Sequence, residues 1–543
     1  MSVSQWNTPA SLRSLLNELV SWGSRTLTAG ECTFSTRVAE KLKTLAYFTH
    51  HPEHLKLHDA GLGRNSVLAL YKNPTAIDTI VLISHFDTVW TEEYGALEPL
   101  AFQPEELTAT LHQLADELPE DARKDLLSGD YLFGRGTMDM KMGLALHMAL
   151  IEKASLEQWP INLVLLTVPD EEVNSAGMRT AVEELVRMRD VYGLSYKLFL
   201  NSEPTFSQEP GDPKEYIYSG TIGKIMPAAL FYGKETHVGE PLKGLTATYI
   251  SSFLAQEMEF NPLFKETNYG ETTPVPVSLQ LKDLKTSYST QTPYRAASLY
   301  NVFLMDRDAS EIMELFSNVA HQAMSACNDS YKKICEREGT EPVGEIRVMR
   351  YEELLEYAQS KIGSEAVELI IGKAILDQEL DDRDKCFKIT DALLIECQEL
   401  TPATVLLFAP PYYPAVNTSE DPLVIKSIDL MKKTATELGT HVDQVHYFNG
   451  ICDLSYVHYT GTATGWTAYE HNTPVWGKTY SIPFEAMTEL DAPVLNVGPF
   501  GKDAHQRTER LHIESAFVRL PVMLEVLVKS MCSEVAEMEP VIS

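Results

Sequence analysis

The chain has 543 residues, of which 44% are hydrophobic and 22% charged. That is the composition of a globular protein, and the length exceeds one compact core, so two or more domains are expected. The 45 basic residues stand against 77 acidic ones, a formal charge of -32, which repels phosphate backbones and excludes nucleic acid as a partner.

The N-terminus, MSVSQWNTPASLRSLLNELVSW, reads as an amphipathic helix rather than a signal peptide. No apolar stretch approaches the ~20 residues needed to span a bilayer, so no membrane partner is expected. The seven cysteines are scattered and form no CxxC, the pattern of a reduced, cytoplasmic protein.

Residues 11–50 have helical periodicity. SVLALY (66–71) and TIVLIS (79–84) read as strands. A helix begins near Met140, followed by apolar runs INLVLLTV (161–168) and YKLFL (196–200). Apolar runs alternating with helices suggest buried parallel strands of an α/β sheet. Near residue 216 the pattern changes. YIYSGTIGKIMPAALFYG reads as a longer alternating strand, and TATYISSFLAQEMEF as a helix. Two strands follow, VPVSLQLKDLK and AASLYNVFLMD. The next helix is capped by Asp308 with Glu311 and runs to about Glu338, and GEIRVMRY (344–351) is a strand. This β-α-β-β-α-β order is a small α+β domain, followed by an extra helical segment, 352–398. ATVLLFAPPYYP (403–414), a helix, APVLNVGPF (492–500) and a C-terminal helix return to the first type. The expected fold is therefore a discontinuous α/β domain (1–215 and 401–543) interrupted by an inserted α+β domain (216–400).

Active sites of α/β sheets lie beyond the carboxyl ends of the strands. Here TIVLIS ends on His85 and Asp87, INLVLLTV on Asp170, Glu171 and Glu172, and YKLFL on Glu203. VLNVG leads to His505, and Asp139 occupies the loop GRGTMDMKMG. Each alone reads as a surface acid, a helix-start acid or a loop histidine. Together, on one sheet edge, they make the His/Asp/Glu set that zinc takes. Asp139, Glu172, Glu203 and one hydroxide would neutralise two divalent ions, with one histidine, His85 or His505, completing each. Asp87, two residues beyond His85, could hold its other imidazole nitrogen. Of the adjacent Glu171 and Glu172, one would face metal and one the attacking water as general base.

The strings SHFDTV, GRGTMDMKMG, PDEEVNSAGM, NSEPT and GPFGKDAH, in this order from about 80 to 510, resemble the M20 metallopeptidases. The family includes aminoacylases, carboxypeptidases, dipeptidases and desuccinylases. Within it, the chain length, the long inserted domain and the ending GKDAHQRTERLH look most like an arginine-utilisation subgroup. The resemblance implies a zinc-peptidase-like catalytic domain with an inserted lid and dimerisation domain, and two zinc ions per chain, with manganese or cobalt as substitutes. It places one ion on His85, Asp139 and Glu203 and the other on Asp139, Glu172 and His505. It makes Glu171 the catalytic base and Asp87 the orienting acid. His237, in YGKETHVGEPLKG, matches a lid histidine that stabilises the oxyanion, across the dimer in dimeric relatives. The implied activity is hydrolysis of an amide or peptide bond in a small peptide or N-acyl amino acid, by a cytoplasmic homodimer. The same residues also suit carbamoyl or ureido C–N hydrolysis, or a catalytically silent binding protein.

Overall fold

The computed structural model describes residues 4–209, 212, 214–285 and 287–533. Helix α1 (Pro9–Ser21) starts at a capping box between Thr8 and Ser11 with proline in its first turn. Then come α2 (Ala29–Lys43), α3 (Ala46–His50), and strands β1 (Leu55–Gly61), β2 (Arg64–Tyr71) and β3 (Asp78–His85). Helix α4 (Met142–Glu157), β4 (Asn162–Val168), α5 (Ala176–Tyr192), β5 (Ser195–Asn201) and β6 (Glu215–Tyr218) follow. The middle of the chain supplies β7 (Gly223–Ile225), β8 (Pro227–Tyr232), α6 (Ala247–Met258), β9 (Val277–Asp283) and β10 (Arg295–Leu304). It continues with α7 (Ala309–Glu338), β11 (Arg347–Arg350), α8 (Tyr351–Ile362), α9 (Ser364–Ile375), α10 (Asp382–Glu396) and β12 (Ala403–Phe408). Last are α11 (Pro422–Glu437), β13 (Val442–Val445), β14 (Val494–Asn496) and α12 (Leu520–Ser533).

Two compact units emerge. The first comprises Met1–Thr221, Val416–Tyr459 and Pro483–Ser543, the second Ile222–Ala415 and Thr460–Ile482. The first is built on an eight-stranded sheet of order β1-β2-β4-β3-β5-β14-β6-β13. Its centre, β4-β3-β5-β14, is parallel. These strands are buried along most of their length, so they read as unbroken apolar runs. Helix α4 is buried on nearly all sides, and with α1 and α12 it forms the main core. SVLALY departs from the expectation of a parallel strand. As β2 it lies antiparallel between β1 and β4, because a hairpin joins it to β1. Burial on both faces makes such a strand indistinguishable by pattern from a parallel one.

The second unit holds a sheet of order β9-β10-β8-β12-β11, with β7 also pairing β10. The capping box of α7 is as read from the sequence: Asp308 accepts from the Ser310 and Glu311 N–H groups, and Glu311 from that of Asp308. Segment 352–398 is indeed helical, as α8, α9 and α10. Two readings are corrected. The long strand near 216 is broken. Residues 215–218 pair in the first sheet, whereas 223–225 and 227–232 pair in the second. Gly223 makes the break possible, since a Cβ there would lie 2.5 Å from the Ala415 nitrogen. ATVLLF, assigned by pattern to the α/β sheet, instead pairs antiparallel with β8 in the second unit. An apolar run carries no record of which sheet receives it.

Candidate active site

The parallel register brings four strand ends to one edge. His85 lies opposite Val168, Ile83 opposite Asn201, and Asn201 opposite Asn496. Each strand then turns into a loop bearing acids or a histidine. Beyond β3 the backbone is zipped to residues 24–26. The Thr26 N–H donates to Thr88 O (3.0 Å), the Thr88 N–H to Ser24 O (3.0 Å), and the Ser24 hydroxyl to Phe86 O (2.5 Å). Asp87 is thereby held with no exposure. Its Oδ1 accepts from the Glu171 N–H (3.1 Å), and its Oδ2 from the Glu172 N–H (3.3 Å) and the Thr26 hydroxyl (2.9 Å). For His85 Nδ1 the nearest acceptor is the Asp87 carbonyl at 3.1 Å, with the Asp87 carboxylate at 3.5 Å. Asp87 thus fixes three groups at once: the imidazole and the backbones of both glutamates.

Two three-residue clusters meet at Asp139. In the first, His85 Nε2 lies 3.3 Å from Asp139 Oδ1 and 3.4 Å from Glu203 Oε1. In the second, His505 Nε2 lies 3.0 Å from Asp139 Oδ2 and 3.1 Å from Glu172 Oε2. Within each cluster, ligand atoms lie within 4.8 Å of one another. Asp139 points one oxygen at each histidine, as a bridging carboxylate does. Glu171 stands outside both sets, its Oε2 3.9 Å from His85 Nε2. Gly498 lets the fourth strand end approach this closely, because a Cβ there would meet Glu203 O at 1.9 Å. The His505 loop carries left-handed residues at Asp503 and His505. It is pinned where Asp503 accepts from the Thr508 hydroxyl (2.7 Å) and the Arg510 guanidinium.

The electrostatics call for cations. Burial pushes the Glu171 and Glu203 carboxyls well up, and neighbouring acids push further against the pull of His85. Glu172 is raised by burial and by Asp139. Burial would lower both imidazoles, but the facing carboxylates hold His85 well above its usual value and His505 at about 11. Burial would raise Asp139, yet hydrogen bonds from both histidines keep it low. These carboxylates and imidazoles are the donor set of zinc, manganese or cobalt, and their spacing fits two ions sharing one carboxylate.

Seven of the eight residues given a role from the sequence therefore gather within the first unit. The eighth, His237, belongs to the second, where it is exposed, bridges Gln291, and accepts the Gly239 N–H at Nδ1 (3.0 Å). Asp453, Arg64 and Lys141 also bear on the site and carry no such signal in the sequence. Asp453 is 1% exposed and acts electrostatically on Glu171 and Glu203, and burial pushes its carboxyl up to about 7. Arg64 donates to Asp170 Oδ1 (2.5 Å), and Asp170 Oδ2 accepts the Ala176 N–H, fixing the turn that carries both glutamates. Lys141 is fully buried over the Phe34 and Phe102 rings, and burial drops its amine to about 7. Its place in GRGTMDMKMG was visible, but nothing in the string says it faces inward.

The sequence profile of peptidase family M20/M25/M40 matches residues 81–528. The chain is 39% identical to the protein YqjN of Bacillus subtilis (strain 168) over 536 residues, which cover 97% of this chain and 98% of YqjN. It is 29% identical to protein RocB of the same organism over 547 residues, covering 96% and 95% of the two chains. The solved M20 family metallo-carboxypeptidase of Sulfolobus solfataricus matches with a TM-score of 0.56 at 12% identity, over 95% of this chain and 98% of that one, so the fold is shared. The chain belongs to peptidase family M20/M25/M40 and is a metal-dependent hydrolase.

Proposed function

We propose that the chain is a two-metal amidohydrolase that cleaves an amide or peptide bond in a small peptide or N-acyl amino acid. One observation carries this: the Asp139 carboxylate is divided between His85 and His505, while Glu171 faces the same centre without belonging to either cluster. His85, Asp139 and Glu203 would hold one ion, and Asp139, Glu172 and His505 the other. Zinc suits the set, and manganese or cobalt could replace it. When bound, such a pair polarises a carbonyl and acidifies water. Glu171 takes the proton from the attacking water and returns it to the leaving amine. A carboxyl that faces the centre from outside both clusters is the general base such a step needs. Asp87 would orient His85 and hold the backbone of the turn that carries Glu171 and Glu172, one N–H on each of its oxygens.

The second unit would serve as lid and dimerisation domain, with segment 352–398 as an addition, and His237 would donate to the oxyanion. Its edge strand β9 leaves Leu279 and Leu281 exposed, which supports pairing into a homodimer. Among the described residues no helix is long and apolar enough to cross a membrane, and the cysteines are free, which supports a cytoplasmic site of action. A role in arginine utilisation rests on the resemblance to that subgroup alone.

The test is a mass-spectrometric screen of the full-length chain with zinc, manganese or cobalt, against dipeptides, N-acyl amino acids and ureido acids, arginine derivatives included. Release of an amine that both a chelator and Glu171→Gln abolish is the expected result. Undiminished turnover by Glu171→Gln would remove the assigned base, and cleavage confined to ureido acids would change the bond.

A further inference from the structure

Outside the catalytic centre, the string HHPEH (50–54) folds into an arrangement with the chemistry of a metal site. Helix α3 ends at His50, and Pro52 opens a single 3-10 turn, Pro52–His54, that leads into β1. The turn sets His51, Glu53 and His54 side by side. His51 Nδ1 lies 3.3 Å from Glu53 Oε1, and His54 Nε2 lies 3.8 Å from the same oxygen. All three ligand atoms lie within 4.8 Å of one another. Donors around a tetrahedral ion at about 2.0–2.1 Å stand roughly 3.3–3.4 Å apart, so only small side-chain adjustments separate this arrangement from coordination. The two imidazole rings are nearly parallel, 14° apart, with centroids at 5.2 Å.

The surroundings separate this cluster from a chance meeting of surface groups. His54 is anchored through its other nitrogen, with Nδ1 2.8 Å from the Tyr47 hydroxyl, which also accepts the Lys72 N–H at 2.8 Å. With Nδ1–H donated to that hydroxyl, the Nε2 lone pair is left facing Glu53 and His51. Such an outer hydrogen bond fixes tautomer and ring direction in metal-binding histidines. Tyr192, at the end of α5, packs edge-on against the His54 ring and donates its hydroxyl to Glu53 O (3.3 Å), which holds the turn in place. The His54 side chain is 12% exposed. His51 and Glu53 are exposed, which leaves an entry path and a free coordination position.

We propose that His51, Glu53 and His54 form a separate, peripheral site for a borderline divalent cation of the zinc or nickel type. Two imidazoles and one carboxylate favour such ions over magnesium or calcium. The site shares no residue with the catalytic clusters. A bound ion would fasten the end of α3 to the turn that feeds β1, the edge strand of the eight-stranded sheet.

The experiment is native mass spectrometry of the full-length chain, stripped with a chelator and titrated with zinc alone. The same titration is run on His51→Ala/His54→Ala, and on His51→Ala alone, whose exposed side chain can be removed without disturbing the fold. The expected result is one zinc ion fewer per chain in the variants, with hydrolytic activity unchanged. The difference of one ion reads the proposal whatever the catalytic centre binds. Equal zinc uptake by wild type and both folded variants at every concentration would overturn it, as would a lost ion accompanied by lost activity.

Discussion

The two clusters that meet at Asp139 are built to different standards. His85 is 1% exposed, ends a buried parallel strand, and has its other nitrogen against the Asp87 carbonyl. Its partner Glu203 is 5% exposed at the next strand end. His505, by contrast, is 51% exposed and rides a loop held in a left-handed turn by Asp503. One cluster is framed by sheet hydrogen bonds on either side. The other is closed by a side chain that solvent reaches. If the centre holds two ions as proposed, a site assembled this way would have a fixed half set by the sheet and an open half that solvent reaches at His505.

The sharpest break of that comparison is to remove each histidine in turn. His85→Ala leaves a buried cavity ringed by carboxylates, and activity should vanish whatever the metal concentration. His505→Ala opens a position that water can fill, so it should lose one ion on desalting yet recover part of its turnover in excess metal. Elemental analysis beside activity reads both, and equal loss and equal rescue would show the two halves to be equivalent. Next in size is Glu171→Gln, with turnover down about 10²–10⁴-fold and metal content unchanged. Simultaneous loss of metal would place Glu171 among the ligands instead.

The contrast also explains what the sequence could tell. The placement of His85 and Glu203 in the fixed half was legible because they follow unbroken apolar runs, TIVLIS and YKLFL, whose ends mark the sheet edge. His505 was legible through the same rule applied to VLNVG. Asp453 was not, because the strand upstream of it, β13, is a half-buried sheet edge without an apolar run. The zipper between residues 24–26 and 86–88 was hidden too, since backbone pairing over sixty positions leaves no periodicity. For the same reason a strand such as ATVLLF could be recognised as a strand but not given its partner.

Asp87 lies between the two halves, so replacing it tests whether they are coupled. Asp87→Asn keeps the shape but turns one of the two acceptor oxygens into a donor, which then faces either the Glu171 N–H or the Glu172 N–H. The His85 contact to the backbone carbonyl survives. The expected loss is about 10–100-fold in metal affinity or turnover, read by competition with a chelating dye. A loss confined to turnover would mean that the glutamate turn is displaced while the fixed half stands.

The smallest effect lies behind the fixed half, at Glu31. This carboxyl has no exposure. One oxygen accepts the Leu27 N–H at 2.7 Å, and Arg64 stands 3.8 Å from the other. Burial first, and then Asp87, push its pKa up to about 8. A carboxyl whose folded pKa exceeds its unfolded value holds a proton in the native state that the unfolded chain releases. Its contribution to stability is therefore full below about pH 4.5 and is lost as the pH rises toward 8. Glu31→Gln, neutral throughout, escapes that loss. In urea titrations it should match wild type at pH 5 and exceed it by about 1–3 kcal/mol at pH 8.5. A variant less stable than wild type at the higher pH would show Arg64 to be the stronger influence, and that the charged pair, not the proton, holds the back of the fixed half together.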